Sequence, residues 1–210
     1  MKYFSEADIQ DLDHVYKINL INSCSGYKSA NLIGSISESG IENVSVFSSV
    51  THVGSSPAML GFFVRPTTVL RNTYENIKAT GFYTINHIHK NIIIEAHHTS
   101  AKYDRDISEF DVTNLEPEFK PEFLAPFVKG VPVQIEMEFV EEYEIKANNT
   151  ILVIGKVKGL YIKDNLVEND GFINLSKAEV AAINGLDGYT IPENKTRFGY
   201  QRPKELIQQI

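Results

Sequence analysis

The 210-residue chain has very little cysteine, Cys24 being its single one, and no tryptophan. A lone thiol excludes a disulfide framework within the chain and favours a reducing, cytoplasmic compartment. Cys24 could serve as a redox thiol, but without a second cysteine or a basic cluster beside it we expect a structural or incidental one. No apolar run reaches the roughly 18 residues that a membrane-spanning helix needs. The first six residues are mixed and acidic, so we expect no signal peptide.

Positive charge is also scarce, because 20 lysines and arginines face 27 aspartates and glutamates, for a formal net charge of -7. A nucleic-acid-binding face normally shows a basic stripe, and an anionic membrane surface also attracts basic segments. The charge balance therefore disfavours both kinds of partner. The length suits one large domain or two small ones, and without a low-complexity linker or an internal repeat we expect one domain over residues 1–210.

Short stretches of strand composition separated by turn signals dominate the chain. They predict strands at residues 30–37, 44–47, 58–64, 82–86, 133–143 and 150–162, with a hairpin between the last two. Helical spacing predicts a helix over residues 68–80, ended by Gly81, and a shorter helix over residues 92–100. Residues 104–126 hold three prolines and are expected to cross the surface, as a candidate lid. Few helices and many short strands favour a mainly β protein, a barrel with helical decoration.

The most informative stretch is residues 61–68, a buried strand followed by Arg65, Pro66, Thr67 and Thr68. If the predicted helix begins at Thr68, its free N–H groups and positive dipole end can hold a phosphate, with Arg65 as a charged fork and the threonines as short donors. The simpler alternative is a surface arginine and an ordinary N-cap threonine. No glycine-rich loop of the Walker or Rossmann kind is present.

Four blocks, in this order, resemble the flavin reductase-like, FMN-binding split-barrel family, in its flavoredoxin-type branch. They are residues 31–35; residues 43–50, similar to the family's Asn-x-[Ala/Ser]-Pro-Phe-Ser; residues 57–76, with Arg65-Pro66-Thr67 where many members have Arg/Lys-Asp-Thr; and residues 98–101, followed by residues 108–110. Val46 and Pro66 depart from the usual proline and aspartate. The resemblance spans about residues 19–189, leaving 190–210 as a C-terminal arm.

The resemblance implies a Greek-key split barrel and a homodimer that holds FMN near the subunit interface. Tail residues would reach the second subunit, with Gly188, Tyr189 and Arg197 as candidates. It also implies the site residues, which form three groups. Arg65, Thr67 and Thr68 would contact the phosphate; Asn43, Ser45, Phe47, Ser48 and Ser49 would line the flavin ring and ribityl chain; and His98, Thr99 and Ser100 would close the site.

The leading hypothesis is an NADH- or NADPH-dependent flavin reductase, in which the nicotinamide passes a hydride to flavin N5 and no protein nucleophile is needed. The alternative is a flavin-binding electron carrier, flavoredoxin-like, without nicotinamide activity of its own. A third possibility, a barrel that binds oligonucleotides, is disfavoured by the net charge. His87 and His89 could form a metal pair on one strand face, but a third ligand is not evident, so we expect no metal site.

Overall fold

The computed structural model describes residues 1–193 and 196–210. In chain order the elements are α1 (Glu6–Asp11), α2 (His14–Cys24), β1 (Tyr27–Ser29), β2 (Asn31–Ile36), β3 (Glu42–Phe47), β4 (Thr51–Ser55), β5 (Ala58–Val64), α3 (Asn72–Thr80), β6 (Phe82–His87), a 3-10 turn (Lys90–Ile92), α4 (Ile93–His98), α5 (Glu109–Val112), β7 (Pro117–Glu118), β8 (Phe127–Val128), β9 (Val133–Ile145), β10 (Thr150–Ile162), β11 (Ala182–Asn184) and β12 (Gly188–Thr190).

One antiparallel sheet of seven strands, in the order β3-β2-β6-β9-β10-β5-β4, organises the molecule. Its two edge strands are joined by residues 48–50 alone. The four steps from Phe47 to Thr51 span about 15 Å at most, whereas seven flat strands would be about 29 Å wide. The sheet must therefore curl until its edges approach each other, which gives the expected mainly β barrel with a gap between β3 and β4.

The sheet separates two apolar cores. One core lies inside the curl, because it draws on β2, β5, β6, β9 and β10 together; it contains Ile33, Phe62, Tyr83, Ile85, Met137 and Val153. The other lies on the outer face, where α4, α5 and β11 cover it; it contains Leu32, Val44, Ile88, Ala96, Phe110 and Ile183. Leu32 and Ile33 fall in different cores because neighbouring strand residues point to opposite faces. Both faces of β2 are thus covered, and all six of its residues are buried, the polar Asn31 and Ser35 included.

Glycine serves two different purposes in this architecture, a left-handed helix end and a close backbone approach. Gly81 ends α3 with a positive φ of 77°, and its N–H donates to the carbonyl of Ile77, so the predicted helix end is confirmed. At Gly34, a Cβ atom would lie 2.1 Å from the carbonyl oxygen of Pro126. The segment before β8 therefore packs directly on the backbone of β2, which only glycine permits.

Most predicted strands are confirmed, among them β5 and β10 with the predicted bounds, but the start of α3 was wrong. The helix begins at Asn72 rather than at Thr68. Val69 and Leu70 are 44% and 53% exposed, so no apolar contact holds an earlier turn against the sheet, whereas Ile77 is fully buried. Residues 65–71 instead form an irregular loop after β5.

The predicted excursion over residues 104–126 is packed rather than lid-like in its middle. Glu109 and Phe110 in α5 are only 5% and 6% exposed, and Ala125 is fully buried.

The three-residue strands β1, β11 and β12 form a separate small sheet that the sequence pattern did not predict. The N-terminal helices α1 and α2 were also missed, and neither contains a buried residue. Within the described residues, no helix is long and apolar enough to cross a membrane.

The C-terminal arm is anchored to its own chain by Arg197. Its guanidinium donates to Glu168 at 2.9 Å and to Asp170 at 2.5 Å, and it stacks on Phe172 at 4.0 Å from the ring centroid. Tyr189, in β12, hydrogen-bonds His97 at 3.3 Å. Both residues, candidates for crossing to a second subunit, thus have intrachain contacts, and beyond Arg197 the arm exposes Tyr200, Leu206, Ile207 and Ile210.

Candidate functional site

Strand β3 and the loop that follows it, residues 43–49, connect the segments that the sequence assigned to one site. Three side-chain hydrogen bonds make the connections. Asn43 donates to the Thr73 hydroxyl of α3 at 2.9 Å, Ser45 donates to the Thr99 carbonyl after α4 at 3.3 Å, and Ser49 accepts from the Phe63 N–H of β5 at 3.0 Å. The partners lie 30, 54 and 14 residues away in sequence. Seven residues, whose six steps span about 20 Å when extended, thus bond to the start of α3, the end of α4 and the end of β5.

The amide of Asn43 has a structural role in this arrangement. The side chain is only 5% exposed, and its Nδ2 also lies 3.3 Å from Ser35 Oγ. Both the amide of Asn43 and its backbone groups, which point towards β2, are therefore used within the chain. Phe47, two steps further along the same face, packs edge-on against Phe62 with ring centroids 5.1 Å apart, which ties the end of β3 to the inner core.

The outer edge of β3 offers an open backbone position next to these side chains. Val44 N–H points away from β2 and donates to a carboxylate oxygen of Glu109 at 3.1 Å. Because N–H and C=O of one antiparallel residue point to the same side, and alternate residues repeat this direction, Val46 also directs both groups outward. Among the residues that the structure describes, neither group of Val46 has a hydrogen-bond partner. One donor and one acceptor are thus available within two residues of Ser45 and Ser48.

Glu109 is an unusual group to find beside this edge, because it is a buried carboxyl. Burial raises its pKa, and the N–H groups of Glu109 itself and of Val44 partly oppose that change. Its role is to cover the β3 edge at Val44 and so to dock α5 there. Sequence reasoning included residues 108–110 in a matching block but assigned Glu109 no role.

The predicted phosphate residues lie on the loop between β5 and α3. Arg65, Thr67 and Thr68 are exposed, and the two threonines line a shallow pocket of about 310 Å³ together with Pro66, Glu142, Glu144, Asn149 and Ile151. The two carboxylates oppose anion binding in this pocket, although Lys78 lies 3.2 Å from Glu142 and offsets part of its charge. Because α3 begins four residues later, the helix dipole does not act at Thr68.

The helix terminus that the sequence placed at Thr68 is found at Arg71, which sequence reasoning missed. Arg71 is the N-cap of α3 and has no side-chain cap hydrogen bond. Its Nε atom, and Oδ1 of Asn72, are shielded from solvent and have no hydrogen-bond partner among the described residues. The signal was present in the sequence: Arg71-Asn72-Thr73 has the cation, polar residue and threonine order of the Arg/Lys-Asp-Thr pattern, with Asn for Asp, and directly starts the helix.

The residues of the third predicted group differ in exposure. His98 and Ser100 are exposed, and Thr99 is 1% exposed, with its hydroxyl donating to the Ala96 carbonyl at 2.7 Å. His98 Nε2 lies 2.8 Å from the hydroxyl of Tyr103. Of this group, Thr99 therefore meets β3 directly through its carbonyl, while His98 lies at the surface.

His87 and His89 do not share a strand face. His87 ends β6, whereas His89 precedes the 3-10 turn, where its Nδ1 accepts from the N–H of Asn91 at 3.4 Å. Burial lowers the pKa of His87 to about 4, so its ring is neutral at pH 7. In the described part of the chain, no three His, Cys, Asp or Glu side chains form a group that could hold a metal ion. Cys24 is an exposed free thiol at the end of α2.

Comparisons with known proteins agree with this architecture. Residues 28–176 match the model of the flavin reductase like domain. A protein of known structure from Shewanella frigidimarina NCIMB 400, described as a candidate flavin reductase with a split barrel domain, is 42% identical, covers 96% of this chain and 100% of its own, and superposes with a TM-score of 0.92. This chain therefore belongs to the flavin reductase-like family and has its split-barrel fold.

More distant structures share the fold alone. Nitrilotriacetate monooxygenase component B from Bacillus cereus has a TM-score of 0.80 at 16% identity, covering 93% of this chain and 97% of its own. Flavoredoxin of Desulfovibrio vulgaris (Miyazaki F) has a TM-score of 0.71 at 17% identity, covering 81% of this chain and 89% of its own. The barrel is thus kept at identities at which residue roles cannot be carried over. Membership of the family supports an oxidoreductase that works with a flavin.

Proposed function

We propose that the protein binds FMN along β3 and acts as a flavin reductase that uses NADH or NADPH. The observation that carries the proposal is the convergence of α3, α4 and β5 on residues 43–49, in a chain that belongs to the flavin reductase-like family. Thr99 of the third predicted group bonds Ser45, and Phe63, which bonds Ser49, precedes Arg65 of the first group by two residues. The flavin, when bound, supplies hydride acceptance at N5, which no side chain of the protein can provide.

The hydrogen-bond donors and acceptors of residues 43–49 fit such a cofactor. A flavin ring presents alternating donors and acceptors at one edge, and the outward N–H and C=O of Val46 form a complementary pair. The hydroxyls of Ser45 and Ser48 lie on either side of this pair in sequence, suited to the ring edge and the ribityl chain. In the proposal Ser49 holds the loop against Phe63, Phe47 supports the ring from the inner core, and Asn43 holds the start of α3 beside β3 through Thr73.

The phosphate would lie over the loop of residues 65–71. The proposal keeps Arg65, Thr67 and Thr68, which are exposed and near the end of β5, and adds Arg71 at the true start of α3. The orphaned Nε of Arg71 supports this addition, since a shielded guanidinium N–H without a partner is costly and an anion would satisfy it. Glu142 and Glu144 then define the side of the loop that the phosphate avoids.

The residues from His98 to Ser100 would limit solvent access from the α4 side. The Thr99 carbonyl accepts a hydrogen bond from Ser45, so this segment has a fixed place beside residues 43–49. In the proposal its neighbour His98 contacts an edge of the ligand. The protein's contribution is then to orient two rings and to keep water away from them, with no covalent step on the protein. We also propose a cytoplasmic homodimer, which the lone free thiol and the exposed apolar residues of the arm support.

Titration of the purified protein with FMN, FAD and riboflavin, followed by flavin fluorescence, tests binding. We expect FMN to bind more tightly than riboflavin, because in the proposal Arg65 and Arg71, in the loop of residues 65–71, recognise the phosphate. Absence of quenching with any flavin would overturn the proposal.

Stopped-flow mixing of the FMN-loaded protein with NADH and with NADPH then tests reductase activity. Bleaching of the flavin absorption band with either donor is expected. Binding without bleaching would instead indicate an electron carrier. Sedimentation velocity measures the oligomeric state, for which a dimer is expected.

A further inference from the structure

Two polar atoms that are shielded from solvent lie on the neighbouring strands β2 and β6, at one end of the barrel interior. Asn31 of β2 pairs in register with His87 of β6 on one side and with Phe47 of β3 on the other. Directly paired residues of an antiparallel sheet point to the same face, so the three side chains form a row. Oδ1 of Asn31 and Nδ1 of His87 are both closed off from solvent, and neither has a hydrogen-bond partner among the described residues.

The orientation of the Asn31 amide follows from its other contacts. Ser29 Oγ donates its proton to the carbonyl of Val50 at 3.1 Å, so towards Asn31 it can only accept. Asn31 Nδ2 donates to that oxygen at 2.9 Å, which leaves Oδ1 directed elsewhere. The hydrogen bonds therefore run from Asn31 through Ser29 to Val50, the last residue of the loop that joins β3 to β4. On the other side of Asn31, the neighbouring side chain in the row is the imidazole of His87.

We propose that His87 is a positioning residue for residues 48–50, the loop that joins β3 to β4. One internal water, shared by His87 Nδ1 and Asn31 Oδ1, completes a chain of hydrogen bonds that holds Val50 and so fixes this loop. A buried polar water site needs two or more partners, and this one has an obligate acceptor in Asn31 Oδ1 and a second polar atom in His87 Nδ1. The inference rests on the proposed function, since it takes residues 48–50 as part of the flavin site.

The test compares FMN affinity in the wild-type protein and in His87 variants, together with a high-resolution crystal structure of the wild type. His87→Leu removes the polar atom, whereas His87→Asn keeps an amide close to the position of Nδ1. We expect His87→Leu to weaken FMN binding about tenfold, with a changed absorption band of the bound flavin, and His87→Asn to stay within about twofold of wild type. The crystal structure should show a water about 3 Å from both atoms.

A second variant interrupts the same chain of hydrogen bonds at another point, in case His87→Leu does not fold. Ser29→Ala removes the bond to Val50 and should weaken FMN binding to a similar extent, while Ser25→Ala, an exposed serine outside the chain of hydrogen bonds, is the matched control. Wild-type affinity in both His87→Leu and Ser29→Ala, an asparagine variant as weak as the leucine variant, or a crystal structure without the shared water would overturn the inference. A wild-type protein that binds no flavin would instead overturn the proposed function.

Discussion

The neutral, shielded imidazole of His87 makes the protein's stability depend on pH in a defined window. Burial lowers the pKa of His87 in the folded protein from 6.5 to about 4. Between these values the unfolded chain binds more protons than the folded one, so stability rises with pH there and the contribution is complete above 6.5. Two and a half pKa units correspond to about 3 kcal/mol, of which about 2 kcal/mol is lost on going from pH 7.5 to pH 5.

Urea unfolding at a fixed protein concentration, at pH values from 5 to 7.5, measures this effect against His87→Leu. The free energy of unfolding of the wild type should fall relative to the variant by about 2 kcal/mol across the range. Glu109 acts in the opposite direction, because its raised pKa gives stability that is lost as pH rises, but it is present in both proteins and cancels in the difference. His14→Gln, on the exposed surface of α2, is the control. Parallel wild-type and His87→Leu curves would refute the reasoning.

Three further outcomes follow from the described contacts. Arg71→Ala should weaken FMN binding roughly 10- to 100-fold and leave riboflavin binding unchanged, with a smaller loss for Arg65→Ala, in fluorescence titrations; equal losses for riboflavin would contradict a phosphate contact. Gly34→Ala should cost about 1–3 kcal/mol in urea unfolding, because its Cβ meets a backbone carbonyl, whereas Gly54→Ala, with its nearest neighbour at 3.4 Å, should be near neutral; equal values would argue against this packing. Glu109→Ala should cost about 1–3 kcal/mol by leaving the Val44 N–H at the strand edge unpaired, and Glu109→Gln, which keeps an acceptor oxygen, should restore most of it; no rescue would contradict this role of the hydrogen bond.

The parts of the fold that local pattern determines were predictable. The hairpin of β9 and β10 follows from two long strand-like runs around an Asn-containing turn, and β5 follows from an uninterrupted apolar run. The start of α3 was not, because Pro66, Thr67 and Thr68 have the composition of a helix start, whereas tertiary contacts decide where the helix begins. Thr73 and Ile77 are buried, whereas none of residues 65–71 is.

The candidate site was predictable as a set of segments, but not as a set of contacts. Family resemblance brought together the stretches around Ser45, Arg65 and Thr99, and the structure connects the first and last by a hydrogen bond across 54 residues. The buried role of the Asn43 amide and the row of His87 and Asn31 depend on strand register, which a single sequence does not determine. Register therefore separates what the pattern could predict from what it could not.

The strand order also has a consequence for how the chain folds as it is synthesised. The hairpin of β9 and β10 lies in the middle of the sheet, with β6 on one side and β5 on the other, yet it is made last among the seven strands. Until β9 and β10 leave the ribosome, β6 and β5 lack the strands that pair with their inner sides. The nascent chain must therefore keep these apolar edges from pairing with other chains until the late hairpin fills the middle of the sheet.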